Sequence, residues 1–249
     1  STPRFKISSD GAISTPTAGT SNVRLGVNAG DAIVSGANYN VLVGDNAGTA
    51  LISGGVANTA VGYNALAAED ANGTNTAIGY QTLQAQNAGA EGYNAAVGYN
   101  AGASLQDGIQ NTFVGANSGD GLTTADGNTA LGYQSLSGVV TGGYNTALGW
   151  GAGLAITSGT LNTAVGTQSL FSNTVGSYNT ALGEGALYSN VDGSKSVAVG
   201  RLALYTQDPA SAVDMYNVGV GYDAGGKITT GIQNTLIGGL AGDAITTGD

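Results

Sequence analysis

The pentapeptide Asn145-Thr146-Ala147-Leu148-Gly149 returns thirteen times along the chain with small edits. Its first residue falls at Asn22, Asn40, Asn58, Asn75, Asn94, Asn111, Asn128, Asn145, Asn162, Asn179, Asn217 and Asn234, and Ser196 takes the place once. Successive anchors lie 18, 18, 17 and 19 residues apart, then six times 17, then 21 and 17. A fixed period of this length points to a stacked array in which each repeat touches only its neighbours.

Positions are numbered here from the Asn of each repeat. Position two is Val or Thr except at Ala95, position four is aliphatic throughout, from Leu25 to Ile237, and position five is always Gly. Alternate residues of a strand share a face, and β-branched columns suit a pleated surface. Positions two and four are therefore expected to point into the interior. Position three is mostly Ala, with Arg24, Phe113 and Leu236 among the exceptions; it is expected to form a second packing face, against another copy of the chain. The Gly allows a positive φ or a close approach between neighbours.

The second half of the repeat has two forms. Position nine is Leu at 66, 83, 136, 170, 187 and 204, and Gly at 30, 48, 102, 119, 153, 225 and 242. Wherever it is Gly, the residue three later is Ile or Leu; where it is Leu, that later residue is usually polar, as in Glu69, Gln86, Asn173, Asn190 and Gln207. Each repeat thus offers one large aliphatic from one of two places, and both are expected to fill the same core slot. An empty slot would cost about 2–5 kcal/mol, as for Leu→Ala changes. Most repeats close with a Gly-containing turn. Two turns and two short strands per repeat predict an all-β fold, a β-roll or β-solenoid rod of thirteen coils. Coils about 4.8 Å apart give a rod roughly 60 Å long.

Residues 21–249 form this tandem-repeat shaft, and residues 1–20 a lead-in hairpin and connector. Arg4–Ser8 alternates as a strand does, Ser9-Asp10-Gly11 is a turn signal, and Ala12–Ser14 returns. A hairpin there would cover the first coil, whose strand edge is otherwise open. The chain begins with Ser and stops two residues before the next anchor is due, so it is expected to be an internal fragment of a longer protein.

Composition narrows the chemistry. With no Cys and no His, thiol chemistry, the usual zinc sites and imidazole catalysis are excluded. Carboxylates are the remaining acid–base option, but Glu69 and Asp70 are adjacent and expected to be solvated in a turn, like most other acids. No Gly-x-Ser-x-Gly elbow, phosphate-binding loop or calcium nonapeptide occurs. The expectation is no enzyme, with no catalytic, cofactor or metal site. The net charge of −10, from 16 acidic and 6 basic residues, leaves no basic stripe for nucleic acid. No apolar run is long enough for membrane insertion.

The aromatics fall in columns. Position six carries Tyr63, Tyr80, Tyr99, Tyr133, Trp150 and Tyr222; the residue before the Asn carries Tyr39, Tyr93, Tyr144, Tyr178 and Tyr216; a third column is Phe171, Tyr188 and Tyr205. Aromatics one coil apart can stack as a ladder. Sugars lie on aromatic faces, which makes Tyr63, Tyr80, Tyr99, Tyr133, Trp150, Phe171, Tyr188 and Tyr205 a candidate saccharide-binding strip; the alternative is that they seal coil edges or contacts between chains. The Asn column is expected to bond its own backbone or stack along the rod. The Thr column would suit ice binding, but for its expected inward orientation.

The runs Asn145–Trp150 and Asn179-Thr180-Ala181-Leu182-Gly183-Glu184-Gly185-Ala186-Leu187-Tyr188-Ser189-Asn190 resemble the repeats of tail-fibre-domain proteins, found in bacteriophage tail fibres and bacterial surface proteins. Arg4–Gly11 is similar to a strand common in such fibres. More distantly, the repeats resemble the left-handed β-roll heads of trimeric autotransporter adhesins. The resemblance covers roughly residues 4–249. It implies a left-handed, homotrimeric, structural fibre segment: the shaft of a phage tail fibre serving host attachment, located in the virion. Its partners would be further copies, other fibre or virion proteins and a host surface glycan. The alternative it implies is a bacterial surface adhesin head or stalk, extracellular, binding a cell-surface or carbohydrate ligand.

Overall fold

A computed structural model describes residues 21–248, together with residues 6–7, 13–14 and 19. Among these there is no helix. Thirteen three-residue strands, from Val23–Leu25 to Thr235–Ile237, occupy positions two to four of the thirteen repeats. They form a single parallel sheet in strict sequence order. Register follows the repeat: Thr129, Thr146, Thr163 and Thr180 are partners, as are Ala130, Ala147, Ala164 and Ala181. The fold is thus a β-solenoid of about thirteen turns. Lys6–Ile7 pairs antiparallel with Ile13–Ser14, as a lead-in hairpin requires; its turn, the connector around Pro16 and its cover over the first coil lie outside the described residues.

The sequence suggested two strands per coil, and the structure has one. The return half is a run of turns. It still stacks, because the position-nine N–H donates to the position-eight carbonyl of the next coil, as from Leu66 to Thr82 at 3.0 Å and from Gly153 to Ser169 at 2.9 Å. Turns at every coil break up the extended segments without breaking the inter-coil bonding.

The interior face is the opposite of the one expected. Position three points inward: Ala60, Ala77, Ala130, Ala147, Ala164 and the larger Leu42 and Phe113 are fully buried. Positions two and four face out, with Leu131 51% and Leu182 46% exposed. Strand alternation puts two and four together and opposite three, but does not say which side is inside. The width of the coil decides it. Where the return half carries Leu at position nine, little more than a methyl group fits across from it, and position three is Ala in all six such coils.

That slot is filled from two places, as the repeat pattern indicated. Leu66, Leu83, Leu136, Leu170, Leu187 and Leu204 at position nine are fully buried, as are Leu51, Leu105, Leu122 and Ile228 at position twelve. In the Gly form, a Cβ added at position nine would strike the tip of the position-twelve side chain: Gly48 against Leu51 at 2.8 Å, Gly153 against Ile156 at 3.0 Å. The extra room in this form also explains the large third-position residues. Arg24, Leu42, Phe113 and Leu236 all belong to coils whose position nine is Gly, and a Cβ at Gly30, Gly48, Gly119 or Gly242 would lie within 3.2 Å of them.

The position-nine Leu residues adopt φ between +47° and +52°, a region disfavoured for a residue with a Cβ. Burial of the whole side chain, about 1.5–3 kcal/mol, offsets that strain. Gly at position five meets both of its expected reasons. Gly149 has φ +133°, and a Cβ there would sit 2.7 Å from the backbone of Gly166 in the next coil. Gly238, with nothing within 4 Å, keeps φ +122° and so the conformational reason alone.

The Asn column is buried and ties three segments together. Each Asn Oδ1 accepts from the backbone N–H of the next anchor, as from Asn145 to Asn128 at 2.9 Å and from Asn162 to Asn145 at 3.0 Å. In most coils its Nδ2 donates to the carbonyl that closes its own coil, as from Asn145 to Gly159 and from Asn162 to Gly176, both 2.9 Å. Ser196 is too short for this, and Gln207 takes over: its Oε1 accepts from Asn217 Nδ2 at 2.9 Å, and its Nε2 bonds Ser196 Oγ at 3.0 Å.

Candidate functional site

The outward side of the sheet carries four columns per coil: the residue before the Asn, then positions two, four and six. From Ala57 to Thr167 these columns hold no charged residue. Thr and aliphatic side chains alternate across the strand, in register, over seven consecutive coils, with Ala95 in place of Thr once. Ile78, Val97 and Val114 are each nearly 40% exposed. Contiguous apolar surface of this extent on a chain commonly marks an interaction site. Charge returns at both ends of the position-six column, as Asp45 on one side and as Glu184 and Arg201 on the other. Arg201 pairs with Glu184 at 2.9 Å and lies over the Tyr222 ring at 5.7 Å. Lys195 similarly bridges to Asp214 at 2.7 Å and sits over Tyr216.

The eight aromatics singled out in the sequence divide into separate groups. Tyr63, Tyr80 and Tyr99 form one ladder along the edge of the outward face, with ring centroids 5.2 and 5.3 Å apart and planes within 20°. Ala116 interrupts that column, and Tyr133 and Trp150 resume it as exposed side chains. Phe171, Tyr188 and Tyr205 form a second ladder at position ten, with both spacings 5.1 Å. It is half-buried and lies several coils further along. Within each ladder the rings turn their faces to one another and their edges to solvent, so a sugar ring has a face to lie on only at the ladder ends. That geometry favours a sealing role. The Tyr residues before the Asn are exposed and have positive φ, from +48° to +61°.

Glu69 is the feature the sequence reading missed. Expected in a solvated turn, it is completely buried. It holds position twelve of a Leu-type coil, the place where Gln86, Asn173, Asn190 and Gln207 are buried too. A polar residue at that position closes its own coil from inside: Asn173 Nδ2 donates to Gly176 O and Asn190 Nδ2 to Gly193 O. In Glu69, Oε1 accepts from the Asn72 N–H and Oε2 from Asn75 Nδ2, both at 3.2 Å. Two long hydrogen bonds do not replace water. Burial pushes the carboxyl from its ordinary 4.5 to about 7, with help from the negative charges of Asp70 and Glu91, against the lowering effect of the Asn72 N–H. In the next coil the buried Gln86 Nε2 has no hydrogen-bond partner. The signal was present: position twelve of every other Leu-type coil, that of Val139 excepted, carries Asn or Gln in the same register.

Asp120 is half-buried; burial raises its pKa, against the Ser137 hydroxyl that donates to it. Among the described residues no three carboxylates gather where they could hold a metal ion, and no helix is long and apolar enough to cross a membrane. Comparison with protein-family models, with curated proteins and with solved structures finds no match.

Proposed function

We propose that this chain is a structural, non-enzymatic fibre segment, a left-handed shaft that trimerises and serves host attachment in a phage tail fibre. The observation that carries this reading is the uncharged outward face of Thr and aliphatic columns between Ala57 and Thr167. Three copies packed on that face around a common axis would cover it, one side of each face meeting the other side of its neighbour's in a heterologous contact that closes into a ring. The wider resemblance of the repeats to tail-fibre proteins supplies the virion setting, with other fibre or virion proteins as neighbours at the ends. The exposed Tyr and Trp residues off the Thr and aliphatic columns favour a second reading, a bacterial surface adhesin whose flanks contact a cell-surface glycan.

Sedimentation or light scattering of the purified chain tests the assembly. The expected mass is three times 24.2 kDa, and Leu148→Glu, on the outward face, is expected to give a folded monomer. A wild-type chain that stays monomeric at high concentration sinks the proposal.

A further inference from the structure

The Tyr63–Tyr80–Tyr99 ladder places three phenols one above another, on three consecutive coils, with ring planes 20° and 8° apart. All three are roughly half-exposed, at 44%, 44% and 53%. Each ring is therefore open to an oxidant at its edge and lies against a second phenol across its face. Centroids 5.2 and 5.3 Å apart with near-parallel planes set neighbouring phenols face to face. The other stacked pair of tyrosines, Tyr188 and Tyr205, is half-buried, while Tyr133 lies between Ala116 and Trp150 in its column.

We propose that this ladder is a site of oxidative modification, at which a peroxide-driven haem peroxidase or another one-electron oxidant of that class joins adjacent coils through dityrosine. Each of two neighbouring tyrosines gives one electron to the oxidant and its phenolic proton to water. The two radicals, with spin density on the ortho carbons, form one carbon–carbon bond. The hydrogens on those carbons then move to the phenolic oxygens as both rings regain aromaticity. The net change is the loss of two hydrogen atoms per bridge, and the peroxide is reduced to water. Solvent exposure matters twice here: it admits the oxidant, and it lets the two rings tilt from parallel into the twisted biaryl.

The bridge falls beside two polar side chains buried in the shaft. Tyr63 and Tyr80 belong to the coils that hold Glu69 and Gln86, the buried carboxyl and the buried amide with an unpartnered nitrogen. A covalent tie between those two coils limits their separation when that layer opens, as a cross-link limits the unfolded ensemble.

The test treats the purified chain with a haem peroxidase and limiting hydrogen peroxide, then maps linked peptides by mass spectrometry and reads dityrosine fluorescence. Bridges are expected within one chain, at Tyr63–Tyr80 or Tyr80–Tyr99. Tyr80→Phe keeps the stacking but removes the shared phenol, and fluorescence and both linked peptides should fall to background, while Tyr133→Phe leaves them unchanged. Unchanged circular dichroism in Tyr80→Phe guards against misfolding. Links that are mainly between chains, or spread over the exposed tyrosines, or indifferent to Tyr80→Phe, overturn the proposal.

Discussion

Glu69→Gln should stabilise this protein at pH 8 and leave it almost unchanged at pH 4. The native carboxyl binds its proton up to about pH 7, whereas the unfolded one releases it near 4.5. Between those values the native state holds more protons than the unfolded state, so stability falls as pH rises through that window. It is fully present below 4.5 and lost above 7, the opposite of a salt-bridged carboxylate. A displacement of that size corresponds to about 3 kcal/mol. Gln has the same shape and no charge to bury, and its Oε1 can accept from Asn75 as that of Gln86 accepts from Asn94 at 3.2 Å. Opening of a stacked array is local, so the assay is hydrogen exchange of amides in the affected coils, corrected for intrinsic rates. Suitable reporters are Leu66 N–H, which donates to Thr82, and Thr76 N–H, which donates to Asn94. The protection gained by the variant should grow from pH 4.5 to 7 and then level off. A gain independent of pH, or wild-type protection that rises with pH relative to the variant, would refute the burial argument.

Leu170→Ala should destabilise by about 2–5 kcal/mol in denaturant melts, whereas Leu170→Gly with Asn173→Ile, which rewrites the coil in its Gly form, should recover much of that loss; no recovery would mean the two positions do not share a slot. Asn145→Ala strands the Asn162 N–H and the Gly159 carbonyl, and should cost at least about 2 kcal/mol by the same melts. Arg201→Ala removes an exposed ion pair, a ring contact and an exposed hydrogen bond to the Tyr222 hydroxyl, and a loss above about 1 kcal/mol would contradict so small a role.

Much of this architecture is legible in one dimension because a solenoid is nearly one-dimensional. The period from Asn to Asn gives coil number, register and the parallel order of the strands, since each contact lies one repeat away. The invariant position-five Gly and the exchange of Leu at nine for Ile or Leu at twelve follow from backbone geometry and layer volume, which every coil must satisfy by itself. The aromatic ladders were readable for the same reason: residues one period apart lie in neighbouring coils, where rings can stack.

What the sequence left open was the choice between two sides. Thr146 and Leu148 share a face and Ala147 has the other under either assignment, and hydrophobicity favours the wrong one, because an aliphatic column on the outward face looks like a core. Only the cross-section resolves this. Leu170 already fills its layer, so the small Ala164 must be the one inside, and a larger side chain is taken only where position nine is Gly. The same closure buries Glu69, which local sequence reads as a turn residue. Its carboxyl is inside because position twelve points inward in every Leu-type coil but that of Val139, and that direction is set by how the chain returns to meet its own Asn.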